Sequence, residues 1–579
     1  MKSWRDRQLA AIAILFSLLM GITWDSQEAI ASTEAGCQQN ATVTEVGDNG
    51  PGTLRRAIYL VCDGGTITFD LDWPATIILT SGELVVDKSL TITGPGPDLL
   101  TISGNQISRI FHTSSSSVSL NKLTLRDGLA LGDNGGGILN SGTLTITDTI
   151  LSQNRGWSGA AIANLGELLV VNTVLSENSA LVDGGGIANS GGVVTLNNSK
   201  IWGNSAGTGG AVSNFDGALT INDSLLFGNT AFSSAGAILN DGGTATINNS
   251  TIDNNGSGYS VGGGIANRYG ATLTLNYSTV SNNAANSNWI GGGIHNVESA
   301  VALYYSMLVN NSASAGGGIS SYNGMLTIEN STLSGNVVAV RGGGLYIEGG
   351  DTTIDHATLA HNVADNANNV YLSIVNSFTV NNAIIAHSAE GANCDGSQSQ
   401  ITSLGYNLSD DSSCHLIEPT DLPNTDPLLG PLADNGGATL THALLPGSPA
   451  IDSGDDAACP ARDQRGVSRP QGAGCDRGAV EAVDITSRLD YAYVMNDGST
   501  GQGRYTLFAG GSFVDEASGG GSWGAPAPDK LWLAYDAGYA CDALLLGSVL
   551  PTDQVRGIRL CRDGSAARGV WQAVPGTGQ

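Results

Sequence analysis

The segment 184–204, GGGIANSGGVVTLNNSKIWGN, decides the fold, because the phrase that opens it recurs along the middle of the chain. The next copy, 209–229, reads GGAVSNFDGALTINDSLLFGN. Each copy places an apolar residue directly after its small residues, and these apolar positions are 24 to 29 residues apart. A period of this length is typical of a solenoid, in which each repeat stacks on its neighbours. The apolar positions are Ile138, Ile162, Ile187, Val212, Ile238, Ile265, Ile294, Ile319 and Leu345, with Val370 as a degenerate tenth.

Within each repeat, apolar and polar residues alternate, as in LTINDSLLFGN (219–229) and LTIENSTLSGN (326–336). Alternation with a period of two is typical of β-strands, and the Gly, Asn and Ser residues between the runs are typical of turns. Because one coil of two or three short strands cannot bury its own apolar face, the coils must stack. The sequence therefore predicts an all-β fold, a parallel β-helix of about 25-residue coils that each rise about 4.8 Å. We expect right-handed coiling, the commoner sense for parallel crossovers.

Aligning the coils produces two columns of asparagine. Stacked amides can hydrogen-bond to one another, and asparagine tolerates the left-handed turn conformation. We therefore interpret both columns as structural, and the alternative is a polar binding stripe. The first column contains Asn140, Asn164, Asn189, Asn214, Asn240, Asn267 and Asn296, and the second contains Asn154, Asn178, Asn204, Asn229, Asn255, Asn283, Asn311, Asn336 and Asn362.

Composition narrows the class of protein. The chain has 579 residues, 81 of them Gly, and 52 acidic against 24 basic residues give a formal net charge of −28. A charge of this sign argues against a phosphate-backbone ligand, so we predict no nucleic-acid partner. Basic residues before an apolar run, followed by Ala29-Ile30-Ala31, are typical of a secretory signal peptide, which we place at 1–31. We expect a secreted or cell-surface protein with no transmembrane span after signal removal.

The eight cysteines fall into four close pairs along the sequence. This grouping is typical of local disulfides in an oxidising compartment. Proximity alone supports the pairing, since eight cysteines allow many connectivities. The expected pairs are Cys37 with Cys62, Cys394 with Cys414, Cys459 with Cys475, and Cys541 with Cys561.

Both ends of a solenoid need caps, because each end exposes an unpaired strand edge. The segment TLRRAIYLV (53–61) places Leu54, Ala57, Ile58 and Val61 on one helical face, so we predict a helix that covers the first coil. We divide the mature chain into an N-terminal cap with the first coils (32–130), the repeat solenoid (131–390), a C-terminal cap (391–482) and a small, aromatic-rich antiparallel β domain (483–579).

Several stretches resemble a known group of proteins. VGDNGPGTLRRAI (46–58), TITGPGPDLLTISGN (91–105) and the GGGIxN repeats resemble bacterial surface proteins of the polymorphic outer-membrane-protein and pectin-lyase-like β-helix group. DPLLGPLADNGGATLTHALLPGSPAID (426–452), with DQRG (463–466) and CDRGAVE (475–481), looks like the choice-of-anchor Q domain. The resemblance covers about residues 40–482 and implies a secreted or surface β-helix. Arg477 stands where we expect an apolar residue in the last motif.

The predicted register supplies two candidate catalytic residues. Because TIEN (327–330) aligns with TIDH (353–356), Glu329 and Asp355 should project outward one above the other, about 5 Å apart. This spacing resembles the carboxylate pair of a retaining glycosidase. The alternative is that two outward polar residues on a long solenoid have become neighbours by chance.

Two further sets of residues are candidate metal ligands. His361 aligns with His387 one coil later, which gives a two-histidine face beside the acids with no third ligand evident. Hard oxygen ligands for calcium, the one candidate cofactor, come from Asp452, Asp455 and Asp456. These three aspartates lack EF-hand spacing, and a solvated turn is the favoured interpretation.

We favour a non-catalytic β-helix protein that acts as an adhesin, a glycan-binding protein or a structural protein of the envelope, with a polysaccharide or cell-surface component as partner. The alternative is a polysaccharide lyase or glycoside hydrolase that uses Glu329 and Asp355. A lyase needs a base, commonly Arg or Lys, beside acids. The basic residues between Asp127 and Ser388, histidines aside, adjoin no acidic cluster in the sequence; they are Arg155, Lys200, Arg268 and Arg341.

Overall fold

The computed structural model describes residues 36–114, 116–258, 261–286, 290–388, 391–397 and 400–482, and the backbone of eight strands between 487 and 575. The predicted signal peptide, Cys541 and Cys561 lie outside the described residues. In the part of the chain that is described, no helix is long and apolar enough to cross a membrane.

The predicted all-β parallel β-helix is confirmed, because each strand pairs in parallel with the strand at the same position of the next coil. Sheet 1 contains the strands that follow the glycine phrase, and sheet 2 the strands after them. Sheet 1 consists of Leu84–Val86, Phe111–Thr113, Ile138–Asn140, Ile162–Asn164, Ile187–Ser190, Val212–Phe215, Ile238–Asp241, Ile265–Arg268, Ile294–Val297, Ile319–Tyr322, Leu345–Glu348, Val370–Leu372 and Cys394–Gly396. Sheet 2 consists of Gln38–Val43, Val61–Phe69, Leu90–Thr93, Ser117–Asn121, Thr143–Thr147, Glu167–Val171, Val193–Asn197, Ala218–Asn222, Thr244–Asn248, Thr272–Asn276, Ala300–Tyr304, Met325–Glu329, Asp351–Asp355, Ser377–Asn381 and Ile401–Ser403.

Two more parallel sheets complete the coils. Sheet 3 consists of Ala75–Ile78, Leu100–Ser103, Thr124–Arg126, Ile150–Ser152, Val174–Ser176, Lys200–Trp202, Leu225–Phe227, Thr251–Asp253, Thr279–Ser281, Met307–Val309, Thr332–Ser334, Thr358–Ala360 and Ile384–Ala386. Sheet 4 is shorter and consists of Leu129–Ala130, Arg155–Gly156, Ser179–Ala180, Ser205–Thr208, Thr230–Ser234, Gly256–Ser257, Ala284–Ala285, Ser312–Ala315 and Val337–Arg341.

Alternate residues of the strands point inward and form one continuous apolar core. In a single coil, Ile138, Leu144, Ile146 and Leu151 are fully buried, and each stacks on its equivalent in the next coil. Stacking of like residues fixes the register, because a slip by one position would turn every apolar side chain to the outside.

The glycine phrase marks the entry to sheet 1, where the backbone turns sharply. Gly184 has a φ of +60°, and a Cβ there would collide with the carbonyl oxygen of Ile187. A Cβ on Gly185 would collide with the backbone of the next coil, at Gly210. Glycine therefore recurs at this point because each coil passes close both to itself and to its neighbour.

Both asparagine columns are buried amide ladders, as the structural interpretation predicts. Asn164 donates to Oδ1 of Asn189 at 2.8 Å in the first column, and Asn204 donates to Oδ1 of Asn229 at 2.9 Å in the second. All sixteen of these side chains are at most 1 % exposed. The alternative, that these columns form a polar binding stripe, is therefore wrong.

The predicted N-terminal helix spans Leu54–Leu60 and begins after the N-cap residue Thr53, whose hydroxyl accepts a hydrogen bond from the Arg56 amide. Its buried residues Leu54, Ala57 and Ile58 join the main core. The helix therefore covers apolar surface at the start of the solenoid, as expected.

Two of the expected disulfides are confirmed. Cys394 pairs with Cys414, and Cys459 pairs with Cys475. Cys37 and Cys62 are also disulfide-bonded, and the described residues contain no free cysteine. Disulfides persist in oxidising compartments, which fits the expected extracytoplasmic location.

After the last coil, the fold-back segment (residues 426–482) lies back along the outer face of sheet 3. It contains one antiparallel hairpin, Leu429–Ala433 with Thr441–Leu444. Its contacts run over several coils: Gln464 accepts a hydrogen bond from Thr332, and the Ala479 amide donates to Thr358. The outward residues of sheet 3 in these coils are consequently buried.

The last part of the chain is antiparallel, as expected. Its first strand pairs with both the second and the last, so the sheet closes on itself. The strands are Ser487–Val494, Thr500–Leu507, Ser512–Asp515, Gly519–Ala527, Lys530–Tyr535, Leu546–Val549, Gln554–Leu560 and Ala566–Pro575.

Candidate functional site

In eight successive coils the last outward residue of the sheet 2 strand is polar, and these side chains form a row, called the outer row here. Its members are in register from coil to coil: Asn197, Asn222, Asn248, Asn276, Tyr304, Glu329, Asp355 and Asn381. The four consecutive asparagines hydrogen-bond amide to amide at 2.8 Å, and all are half-buried, so each side chain remains partly exposed to solvent. The outer row is thus a continuous line of donors and acceptors at the strand spacing of about 4.8 Å.

The residue that follows the outer row in each coil adopts the left-handed conformation and forms a second line, called the turn row. Asn198 donates to Asn172 at 2.7 Å, and Asn249 donates to Asp223 at 2.6 Å, all exposed. Farther along the turn row, the rings of Tyr277 and Tyr305 stack with centroids 4.8 Å apart and an angle of 6°. An exposed amide strip therefore leads to a flat aromatic surface.

The predicted register of the acid pair is confirmed, since Glu329 and Asp355 are directly paired in sheet 2. Glu329 is half-buried, and burial together with the charge of Asp355 raises the pKa of its carboxyl. Asp355 accepts a hydrogen bond from Nδ2 of Asn381 at 3.1 Å, and its Oδ1 lies 2.8 Å from Nδ1 of His356.

Such a pair could divide acid and base roles, because burial and the neighbouring charge bias the Glu329 carboxyl toward its protonated form while Asp355 accepts a hydrogen bond from Asn381. The pairing of strands about 4.8 Å apart agrees with the separation of about 5 Å in retaining glycosidases. Tyr305 lies at the same place, and burial together with the charge of Glu329 raises the pKa of its hydroxyl.

The candidate histidine ligands also meet, but they lie away from the acids. The ring centroids of His361 and His387 are 5.0 Å apart. The expected position beside the acid pair is wrong. Asp355 precedes the strand Thr358–Ala360 and His361 follows it, so the two pairs lie at opposite ends of the strands of sheet 3.

A third histidine, His442 of the fold-back segment, packs on His361 with centroids 5.1 Å apart. Its Nδ1 lies 2.8 Å from the Gly430 carbonyl oxygen and its Nε2 lies 2.9 Å from Oγ of Ser334, so both ring nitrogens have partners. Burial lowers the pKa of His442 to about 4. Over the described residues, no group of three or more His, Cys, Asp or Glu is arranged to hold a metal ion.

The candidate calcium ligands bind backbone amides instead. Oδ1 of Asp452 accepts from the Gly474 amide, Asp455 from Ala457 and Asp456 from Cys475. These bonds fix the turns that surround the Cys459–Cys475 disulfide. The arrangement is that of structured turns, and calcium binding there stays a prediction.

The DQRG and CDRGAVE motifs, together with Arg469 between them, form a buried ionic network in the fold-back segment. Asp463 pairs with Arg465 at 2.7 Å and Arg469 with Glu481 at 3.4 Å, with all four side chains at most 2 % exposed. Burial, with a contribution from the charge of Glu481, raises the pKa of Asp476 to about 7. The motifs thus hold the fold-back segment together.

Arg477, the residue that departs from the expected motif, packs between the fold-back segment and the preceding residues 406–407. Its guanidinium donates to the carbonyl oxygens of Ser453 and Asn407 and lies over the ring of Tyr406. Backbone acceptors and an aromatic face therefore accommodate a charged residue where an apolar one was expected.

Sequence reasoning missed the outer row of asparagines, the two stacked tyrosines and His442. The outer row could have been found from the Asn-Asn pairs at 197–198 and 248–249, because adjacent residues on a strand and in its turn face different directions. No periodic signal marks His442, which reaches the solenoid only because the fold-back segment reverses direction.

No family model matches the chain, and no curated protein matches it. The resemblance to the choice-of-anchor Q domain therefore stays a prediction. Among solved structures, pectate lyase Pel9A is 13% identical with a TM-score of 0.32, and the match covers 78% of this chain and 98% of that one. The enzymatically active domain of bacteriophage CBA120 tailspike protein 2 is 9% identical with a TM-score of 0.24, covering 87% of this chain and 72% of that one. These scores are too low to carry any conclusion, so the fold assignment rests on the strand pairing itself.

Proposed function

We propose that this chain is an extracytoplasmic β-helix protein that binds polysaccharide without cleaving it. The observation that carries the proposal is the outer row, in which four asparagines in register offer amide donors and acceptors along one edge of the solenoid. A polymer of hydroxyl-bearing units is the ligand class that matches a repeating line of such groups. The stacked Tyr277 and Tyr305 of the turn row add an aromatic surface next to Asn276, the last of these four asparagines.

Retention on insoluble polysaccharide tests the proposal. The purified mature chain is passed over cellulose, chitin and β-1,3-glucan, and the bound fraction is compared with that of an Asn222→Ala, Asn248→Ala double variant. We expect the wild-type chain to be retained on at least one polymer and the double variant to bind about tenfold more weakly. Absence of retention on all three polymers would refute the proposal.

A Ser179→Ala, Ser205→Ala double variant is the matched control. These two hydroxyls hydrogen-bond across neighbouring coils at 3.1 Å on the exposed face of sheet 4, away from the outer row. The control variant should be retained as strongly as the wild-type chain. Equal losses in both variants would contradict a site at the outer row.

The acid pair supports a second candidate function, cleavage of the bound polysaccharide. Glu329 and Asp355 share the outer row with the asparagines, and burial and the charge of Asp355 raise the pKa of Glu329. The same incubation is therefore assayed for new reducing ends and for unsaturated products. Products that vanish in both Glu329→Gln and Asp355→Asn would establish the enzyme in place of the non-catalytic protein.

A further inference from the structure

A groove of about 540 Å³ lies on the outer face of sheet 3, beside the tip of the hairpin of the fold-back segment. Its floor comes from two successive coils, with Ser281, Asn282, Val309 and Asn310 among the lining residues. Its wall is the tip of the fold-back hairpin, including Asp434 and Ala438. A volume of several hundred Å³ suits a small ligand or one end of a larger one.

The wall of the groove is fixed in place. Oγ1 of Thr439 donates to the Tyr305 carbonyl oxygen at 3.4 Å and accepts from Nε2 of Gln464 at 2.9 Å. Oε1 of Gln464 in turn accepts from the Thr332 hydroxyl at 2.6 Å. Because these bonds tie the hairpin tip to the solenoid, a ligand would enter a preformed groove and would pay little for ordering it.

The chemistry of the lining selects against anionic ligands. Among the described residues that line the groove, Asp434 is the one that is charged, and none is Lys, Arg or His. One coil before the floor, Asp253 accepts hydrogen bonds from Ser281 and Asn282, both at 2.7 Å, which adds a second carboxylate beside the groove. Hydroxyl and amide groups beside two carboxylates suit an uncharged, hydroxyl-rich molecule.

An aromatic surface leads to the groove along the same row of sheet 3. Trp202 and Phe227 stack with centroids 5.9 Å apart, and their row continues through Asp253 and Ser281 to Val309. Trp202 and Val309 are four strand spacings apart, about 19 Å. Beyond Val309 the fold-back segment covers the row, where Ser334 is 3 % exposed.

We propose that the groove holds the terminal residue of a neutral glycan whose next units lie over Asp253, Phe227 and Trp202. The hairpin tip acts as an end stop, so that this face recognises a chain end, whereas the outer row binds along a chain. The inference rests on the proposed polysaccharide binding and adds the substrate class, a neutral glycan, and a preference for termini.

Calorimetric titration with short oligosaccharides tests the groove. The probes are cellotetraose, laminaritetraose and chitotetraose, with tetragalacturonate as the anionic comparison. We expect at least one neutral tetrasaccharide to bind the wild-type chain and tetragalacturonate not to bind. Ala438→Trp, which fills the groove from an exposed loop position, should weaken neutral binding at least about tenfold.

A matched pair of variants distinguishes loss of a contact in the groove from a general effect of changing the turn. Asn282 and Asn254 occupy the same left-handed position in neighbouring coils, with φ of 53° and 52°, and Asn282 lines the groove whereas Asn254 does not. Glycine is native at this position in other coils, at Gly203 and Gly228. Asn282→Gly should weaken tetrasaccharide binding, and Asn254→Gly should leave it unchanged.

Three results would overturn the groove proposal: no neutral tetrasaccharide binds, tetragalacturonate binds more tightly, or Ala438→Trp binds like the wild-type chain. Retention of the same variants on insoluble polymer distinguishes the two proposals. If the wild-type chain is retained on polymer but Ala438→Trp leaves tetrasaccharide affinity unchanged, the groove proposal fails and the proposed polysaccharide binding stands. If wild-type chain is not retained on any polymer, the proposed function fails.

Discussion

The Nδ1 atom of His356 lies 2.8 Å from Oδ1 of Asp355, and the imidazole is fully buried. The opposite nitrogen, Nε2, lies 3.8 Å from Sγ of Cys475 in the fold-back segment. One ring therefore spans the distance between the outer row and the Cys459–Cys475 disulfide. The surroundings of the acid pair depend in this way on a segment more than 100 residues farther along the chain.

The first prediction concerns the acid pair and its dependence on pH. Because the pKa of Glu329 is raised in the folded chain, the stability it contributes is fully present below the ordinary glutamate pKa and is lost as the pH rises through the folded value. Glu329→Gln should therefore raise the thermal midpoint at pH 7, and the gain should vanish near pH 4, where the native carboxyl is protonated.

Titration of Glu329 by NMR provides the second prediction. Asp355→Asn removes the charge that adds to burial, so the pKa of Glu329 should fall toward its ordinary value while burial keeps it above that value. Asp351→Asn changes an exposed carboxyl at the other end of the same strand and serves as the control. An unchanged Glu329 titration in Asp355→Asn would contradict the pairing.

A third prediction separates buried from exposed amide ladders. Asn229 is fully buried, donates to the Ile201 carbonyl oxygen and Asn255, and accepts from Asn204, so Asn229→Ala leaves several buried polar groups without partners. We expect a loss of about 3 kcal/mol in unfolding free energy, measured by chemical denaturation. Asn198→Gly removes an exposed amide of the turn row, and because glycine adopts the φ of +48° there without strain, the change should cost less than about 1 kcal/mol.

The fourth prediction concerns the pH dependence of the fold-back segment. Burial and the charge of Glu481 raise the pKa of Asp476 from 3.8 to about 7, so its stabilising contribution is present below pH 3.8 and is lost as the pH rises through about 7. Hydrogen exchange of the fold-back amides should show local stability falling by up to about 1.4 kcal/mol per pH unit over this window. Asp476→Asn should reduce this dependence of local stability on pH. Asp365→Asn, which changes an exposed carboxyl of the solenoid, should leave it unchanged.

A fifth prediction addresses the buried ion pair of Arg469 and Glu481. Arg469→Met leaves the Glu481 carboxylate buried without its charge partner, and we expect it to destabilise the fold-back segment by about 3–5 kcal/mol. The double variant Arg469→Met, Glu481→Leu removes both charges and should recover part of that loss. Protease sensitivity of the fold-back segment measures both, and a double variant weaker than the single one would contradict the ion-pair explanation.

The solenoid could be predicted from sequence because its contacts repeat at a constant separation. Ile187 meets Val212, and Glu329 meets Asp355, at one coil length, so aligning the repeats is equivalent to reading the register. The same alignment placed the two buried asparagine ladders and the histidine pair.

The rest of the site could not be predicted, because its contacts have no fixed period. The hydrogen bonds between Thr332 and Gln464 and between Ser334 and His442 join residues 132 and 108 positions apart, and no repeat spacing in the sequence predicts them. The groove likewise exists only where the hairpin tip meets the solenoid.

The in-register coils also make the length of this protein adjustable. The bonds described here between the fold-back segment and the solenoid all reach Tyr305 or later residues, so the coils from Thr143 to Asn276 depend on their neighbours alone. A gene duplication or deletion of one whole coil in this stretch would keep every ladder continuous and would leave the C-terminal half untouched. Proteins that arose in this way would have outer rows of different lengths and the same groove at the hairpin tip. Their avidity for long polysaccharide chains could therefore change while the groove stayed the same.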